Sequence, residues 1–158
     1  GWTYRNYATW PRTTCHVGDG VLWAAKTLDA SLNGKAAELF ERYTRMHFPD
    51  GDVQRPNIAE RYDPHTGKPF MENLDYNHSS WIDLLMRHVA GITPAESDNL
   101  VIDPVDMGWK SFSVKNIRYR NHNIDVEFTR GKGMTIRVDG IVKAKTAVLQ
   151  KVVIQNPA

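Results

Sequence analysis

The period of the hydrophobic residues changes once along the chain, from steps of three and four to steps of two, and the change falls between Gly91 and Asn99. A stripe repeating every 3.6 residues suits a helix with one buried face, whereas strict alternation suits a strand with one buried face, and neither pattern serves the other structure. The expected class is therefore α+β, with helices over 1–94 and a small antiparallel β-sandwich over 95–158.

In the first part, Val17, Val21, Ala24, Ala25, Leu28 and Leu32 fall on one helical stripe, with Asn33-Gly34 as the expected cap. Ala36, Leu39, Phe40, Tyr43 and Met46 mark a second helix, stopped by Pro49-Asp50-Gly51, so the two read as an αα-hairpin. A third helix is expected from about Ser79 to Val89, with Ser80 and Asp83 spaced as a capping box and Gly91 at its end. From Pro49 to Tyr76 no period is sustained. A loop of that length is usually functional or disordered, and its Tyr62, Phe70, Met71 and Tyr76 argue against disorder. Beyond Leu100, the alternating sets Leu100/Ile102, Phe112/Val114, Ile124/Val126/Phe128 and Met134/Ile136/Val138, then Val148 and later Val152/Ile154, predict five to seven strands. Asp139-Gly140 is the strongest hairpin turn among them.

Composition removes several classes of function. With 41% hydrophobic and 10% aromatic residues in 158, a packed core is affordable and disorder is not the main state. Lysine and arginine total 20 against 18 acidic residues, scattered along the chain, so no phosphate-tracking stripe and no nucleic-acid partner are expected. The longest apolar run is far short of the ~20 residues of a membrane span, so no membrane partner is expected. The single cysteine, Cys15, excludes an internal disulfide. The chain starts at Gly1 without methionine and enters an aromatic segment at once, which reads as an internal cut of a longer protein.

Three strings could carry chemistry. Glu60-Arg61-Tyr62-Asp63-Pro64-His65-Thr66-Gly67 contains a turn in which proline fixes one dihedral, glycine supplies a positive one, and Asp63 and Thr66 can accept backbone amides. Such a turn could hold Glu60 as a general base, or leave it as a solvated carboxylate. Asp75-Tyr76-Asn77-His78-Ser79-Ser80 packs polar groups around a helix N-terminus, where Asn77 and His78 could orient a ligand or serve as a cap and a buried, bonded imidazole. Trp2-Thr3-Tyr4-Arg5-Asn6-Tyr7-Ala8-Thr9-Trp10-Pro11 offers aromatic faces for sugar rings, with Arg5 and Asn6 for hydroxyls, or else aromatic anchors for docking on neighbouring structure. Cys15, His16, His78 and His88 lack the clustered spacing of metal ligands, and no cofactor is expected.

Taken in order, these strings resemble the C-terminal end of six-hairpin glycoside hydrolases, an (α/α)6 barrel followed by a small β-domain, with glycoside hydrolase family 63 and mannosylglycerate hydrolase-like enzymes as the nearest group. The resemblance rests on Ala8-Thr9-Trp10-Pro11, on Glu60 to Gly67, on Tyr76 to Ser79 and on Gly91-Ile92. It implies that the three helices are the end of an incomplete barrel whose remainder is a partner. It also implies a carbohydrate substrate and an inverting reaction with Glu60 as general base, Trp10, Arg5, Asn6, Tyr62, Asn77 and His78 around the sugar, and the general acid on an upstream segment. The alternative from another class is a non-catalytic carbohydrate-binding or bracing β-sandwich module.

Overall fold

A computed structural model describes residues 8–70, 73–76 and 78–155. The chain forms two compact units, Gly1–Leu84 and Leu85–Ala158.

The first unit is helical. Helix α1 spans Pro11–Thr27, α2 spans Asn33–Met46 and α3 spans His78–Leu84. α1 starts earlier than its apolar stripe suggests because Pro11 occupies its first turn, where the missing amide costs no hydrogen bond. Its buried face is Pro11, Cys15, Gly18, Leu22 and Ala25, while Val17 and Leu28, both on the expected stripe, are 53% and 72% exposed. Asn33-Gly34 is not a terminator. The break comes earlier, in a 3-10 turn at Ala30–Leu32 whose Asp29 side chain accepts the amide of Ser31, and Asn33 opens the next helix. α2 buries Ala36, Ala37, Phe40 and Tyr43, and α1 packs on both α2 and α3. Gly18 lets α3 approach: a Cβ there would lie 3.3 Å from Leu84 Cδ1. The long loop also enters this core, since Ile58, Ala59 and Tyr62 are buried.

The second unit opens with a π turn, Leu85–Val89, where the expected third helix would have run on as a regular α-helix. Two antiparallel sheets follow. The first has the order β1-β2-β7, with β1 Ile92–Thr93, β2 Leu100–Ile102 and β7 Val152–Ile154; the second has the order β3-β4-β5-β6, with β3 Ser111–Tyr119, β4 His122–Thr129, β5 Gly133–Val138 and β6 Ile141–Thr146. Both sheets contribute to one buried cluster, including Ile92, Leu100, Ile102 and Ile154 from the first and Ile124, Val126, Met134 and Ile136 from the second. The register keeps the alternating apolar residues on one face: Ile124 pairs with Val138, and Val126 with Ile136. Asp139 and Gly140 both have positive φ, 50° and 80°, as the two-residue turn between β5 and β6 requires. Gly91 is needed for another reason. Its φ is 74°, and a Cβ would fall 2.3 Å from the nitrogen of Pro104.

The α+β class and the order of helices before sheets agree with the sequence reading. The incomplete barrel does not hold: among the described residues three helices form one unit, and nothing in them outlines a barrel.

Candidate functional site

The site region is the loop of the helical unit, and its construction starts at Tyr62. Tyr62 pairs through its backbone with Thr9, donating its amide to the Thr9 carbonyl at 3.0 Å and accepting the Thr9 amide at 2.8 Å, and it forms a second bridge to Pro69. Its ring is 2% exposed, and its hydroxyl accepts the amide of Ala59 at 2.9 Å and donates to the carbonyl of Met46 at 2.8 Å. Burial raises its pKa. Tyr62 thus locks the loop onto α2, and both hydrogen-bonding directions of its hydroxyl are used by backbone.

The turn that follows matches the chemistry read from Asp63 to Gly67. The Asp63 carboxylate accepts the amides of Thr66 at 2.8 Å and His65 at 2.9 Å, and these bonds hold its pKa below the usual carboxylate range. The amide of Gly67, with φ of 68°, donates to the Asp63 carbonyl at 2.8 Å, and the Asp63 amide donates to the Lys68 carbonyl at 2.9 Å.

Glu60 precedes this brace. Its amide donates to the carbonyl of Asn73 at 3.0 Å, and the Asn73 side-chain amide donates back to Glu60 Oε2 at 2.5 Å. Asn73 has φ of 47°, a conformation asparagine tolerates better than most residues. Among the described residues this is the only side-chain bond of the half-buried Glu60 carboxylate. Trp10 is the residue before α1; its carbonyl accepts both the amide and the hydroxyl of Thr14, at 2.9 and 3.0 Å. Its ring faces Arg61, whose guanidinium carbon lies 5.8 Å from the Trp10 ring and 5.9 Å from that of Phe70. His78 is the first residue of α3, while Arg5, Asn6 and Asn77 lie outside the described residues.

Three cavities in this unit are lined by described residues. One of about 440 Å3 is lined by Thr14, Tyr43, Tyr62 and Asp63 among others, one of about 260 Å3 by Trp10, Thr13, Val17 and Leu39, and one of about 650 Å3 by Arg45, Phe48, Asp50 and Lys68. Glu60 lines none of the three. Tyr43, beside the first cavity, is 1% exposed; burial, with smaller contributions from Cys15 and Tyr62, raises its pKa. Among the described residues no three His, Cys, Asp or Glu side chains gather as metal ligands would, and no helix is long and apolar enough to cross a membrane.

Sequence reasoning missed Arg61 and Asn73. Arg61 stood inside the quoted string, flanked by the two residues that drew attention; Asn73 could be found only by knowing that the loop returns on itself.

No protein-family model matches the chain. No curated protein matches it either. A solved structure titled "Sialidase" does, at a TM-score of 0.73 and 26% identity, over 94% of this chain and 15% of that one. The chain resembles part of a glycoside hydrolase. It spans about 15% of the length of the protein it matches. The match overturns the six-hairpin resemblance, and the geometry explains why the motifs misled. Trp10-Pro11 is a helix start, Asp63 to Gly67 is a side-chain-braced turn, and Tyr76 to Ser79 leads into α3. Each string is local backbone chemistry that unrelated folds need equally.

Proposed function

We propose that this chain works as a segment of a glycoside hydrolase and presents Glu60 as the carboxylate that activates water, with the general acid supplied from outside the segment. The observation that carries this reading is the mooring of Glu60: its backbone and one carboxylate oxygen are fixed by Asn73, a neutral partner, beside a loop pinned by Tyr62 and Asp63. A general base needs a fixed position and a lone pair not engaged by a cation; Asn73 holds one oxygen of Glu60, and among the described residues no cation engages the carboxylate. In an inverting reaction that base takes a proton from water as the water attacks the anomeric carbon. A carboxylic acid about 6.5–9.5 Å away protonates the leaving oxygen.

Asp63 is unsuited to be that acid, because its two amide bonds favour the ionised form. Sialidases depart from the two-carboxylate scheme by using a tyrosine nucleophile. Tyr43 and Tyr62 are poorly disposed for that role, since burial holds both phenols protonated and Tyr62 is bonded to backbone on both sides. Trp10 with Arg61, and the unplaced Arg5, Asn6, Asn77 and the His78 side chain, are the proposed sugar contacts.

The test is Glu60→Gln in the intact protein that carries this segment. The expected result is a fall in kcat of about 10²- to 10⁴-fold with little change in KM, while the 158-residue chain alone leaves aryl glycosides uncleaved. Wild-type kcat in the variant overturns the role of Glu60. Cleavage by the isolated chain overturns the external acid.

For the β unit, the bracing alternative is better supported than carbohydrate binding. Sugar-binding sheets offer exposed aromatic rings, but Phe112 and Tyr119 pack against the core, Phe128 is buried, and the described residues place no exposed aromatic on either sheet.

A further inference from the structure

The main chain of Glu60 is set from both sides. It follows Ile58 and Ala59, both fully buried, and the returning segment is tied to that stretch twice. The Glu60 amide donates to the Asn73 carbonyl at 3.0 Å, and the Tyr76 amide donates to the Ile58 carbonyl at 2.8 Å. Between them, the Ala59 amide donates to the Tyr62 hydroxyl at 2.9 Å. A glutamate side chain anchored in this way still has rotational freedom about its own bonds. The Asn73 side-chain amide, donating to Oε2 at 2.5 Å, removes that freedom, so one residue fixes both the backbone and the carboxylate of Glu60.

We infer that Asn73 is a positioning residue that selects which oxygen of Glu60 acts: it holds Oε2, leaves Oε1 to take the proton from water, and has to be asparagine. The inference rests on the reading of Glu60 as the base. Two conditions meet at position 73. Its φ of 47° lies in the left-handed region, which glycine, asparagine and aspartate enter more readily than other residues. The carboxylate opposite needs a neutral donor, because a cation would compete with the proton for its lone pairs. Glycine has no side-chain donor and ionised aspartate has only acceptors, so asparagine alone of the three meets both conditions. Oε1 has no side-chain partner among the described residues.

Asp63 shows the contrast. Its carboxylate is held by the backbone amides of His65 and Thr66 inside its own turn, donors that no substitution of a neighbouring side chain removes. The donor to Glu60 is a side chain 13 positions further on, and replacing it leaves the turn intact.

The test compares Asn73→Gly and Asn73→Asp in the intact protein that carries this segment. Glycine keeps the left-handed backbone and the carbonyl that accepts the Glu60 amide, and removes only the side-chain donor. It is expected to lower kcat about 10- to 100-fold with KM and the melting midpoint retained. Asn73→Asp keeps the shape but sets a second carboxyl group against Oε2, and of two such neighbours one keeps its proton to higher pH. The low-pH limb of its kcat profile is therefore expected to move upward in pH. A merely structural role would lower the melting midpoint and raise KM while leaving that limb in place. Wild-type kcat in Asn73→Gly, or an unshifted limb in Asn73→Asp, overturns the inference. A second readout needs no activity. In NMR spectra of the 158-residue chain, one side-chain amide proton of Asn73 is expected downfield, as for a bond to a charged acceptor, and to move upfield in Glu60→Gln. An Asn73 signal unmoved by Glu60→Gln overturns the contact itself, whereas wild-type kcat in Glu60→Gln overturns the catalytic reading and the role of Asn73 with it.

Discussion

Tyr62 carries more of the loop than Glu60 does, and its replacement by phenylalanine shows how. Phenylalanine keeps the buried ring but strips partners from the Ala59 amide and the Met46 carbonyl. Leaving buried backbone groups unpaired costs about 1–3 kcal/mol, and chemical denaturation of Tyr62→Phe is expected to register a loss of that size. A loss below about 0.5 kcal/mol would mean that water replaces both bonds. Gly91→Ala is expected to be more damaging, because the added methyl meets the backbone of Asp103 and Pro104 at 2.3–2.6 Å in a left-handed conformation. A drop of about 3 kcal/mol or more in the stability of the β unit is the expected reading. At this scale the sequence was partly legible. Asp63 with Gly67 announced a turn from the residues alone, whereas the pairing of Glu60 with Asn73 joins two separated segments and leaves no mark in either.

Elements with one buried face were readable, and elements without one were not. β4 and β5 alternate because every second side chain enters the core, but β6 exposes Ile141 at 63% and Val142 at 43%, so its sequence lacks the alternating signal. In α1 the helical period was correct and the chosen face only partly so: Ala25 is buried as expected, but Cys15, Gly18 and Leu22 complete the buried side while Val17 and Leu28 face outward. Between strands, carboxylates anchor the sheet. Asp106 is bonded by Arg130, Glu127 by Lys115 and Arg137, and Asp139 by the Asn123 amide and His122, and these bonds lower the pKa of each acid. Folded values below the unfolded ones add stability above the usual carboxylate range, and that stability is lost as pH falls through the folded values. Thermal melts are therefore expected to shift downward between about pH 5 and about pH 2, and Asp139→Asn is expected to flatten the shift. A midpoint constant over that window would contradict the assignment.

The compact units meet at Leu84 and Leu85, before the change of hydrophobic period that falls between Gly91 and Asn99. Residues 85–158 own a continuous buried cluster, so a protein of those residues alone is expected to show β-type circular dichroism and a cooperative melt. A broad, non-cooperative melt would show that its sheets need the helical unit. The helical unit exposes Trp23 at 52% as well as Val17 and Leu28. Leu28→Ser should change stability by no more than about 0.5 kcal/mol, because that side chain is already largely in water. Short strings suggested one family, whereas the three-dimensional course of the chain matches part of a solved structure titled "Sialidase". The sole cysteine adds a practical consequence. Cys15 sits 7% exposed in the helical unit, and the β unit contains no thiol, so a colourless-to-yellow disulfide reagent would act as a stopwatch for opening of the first unit while remaining blind to the second.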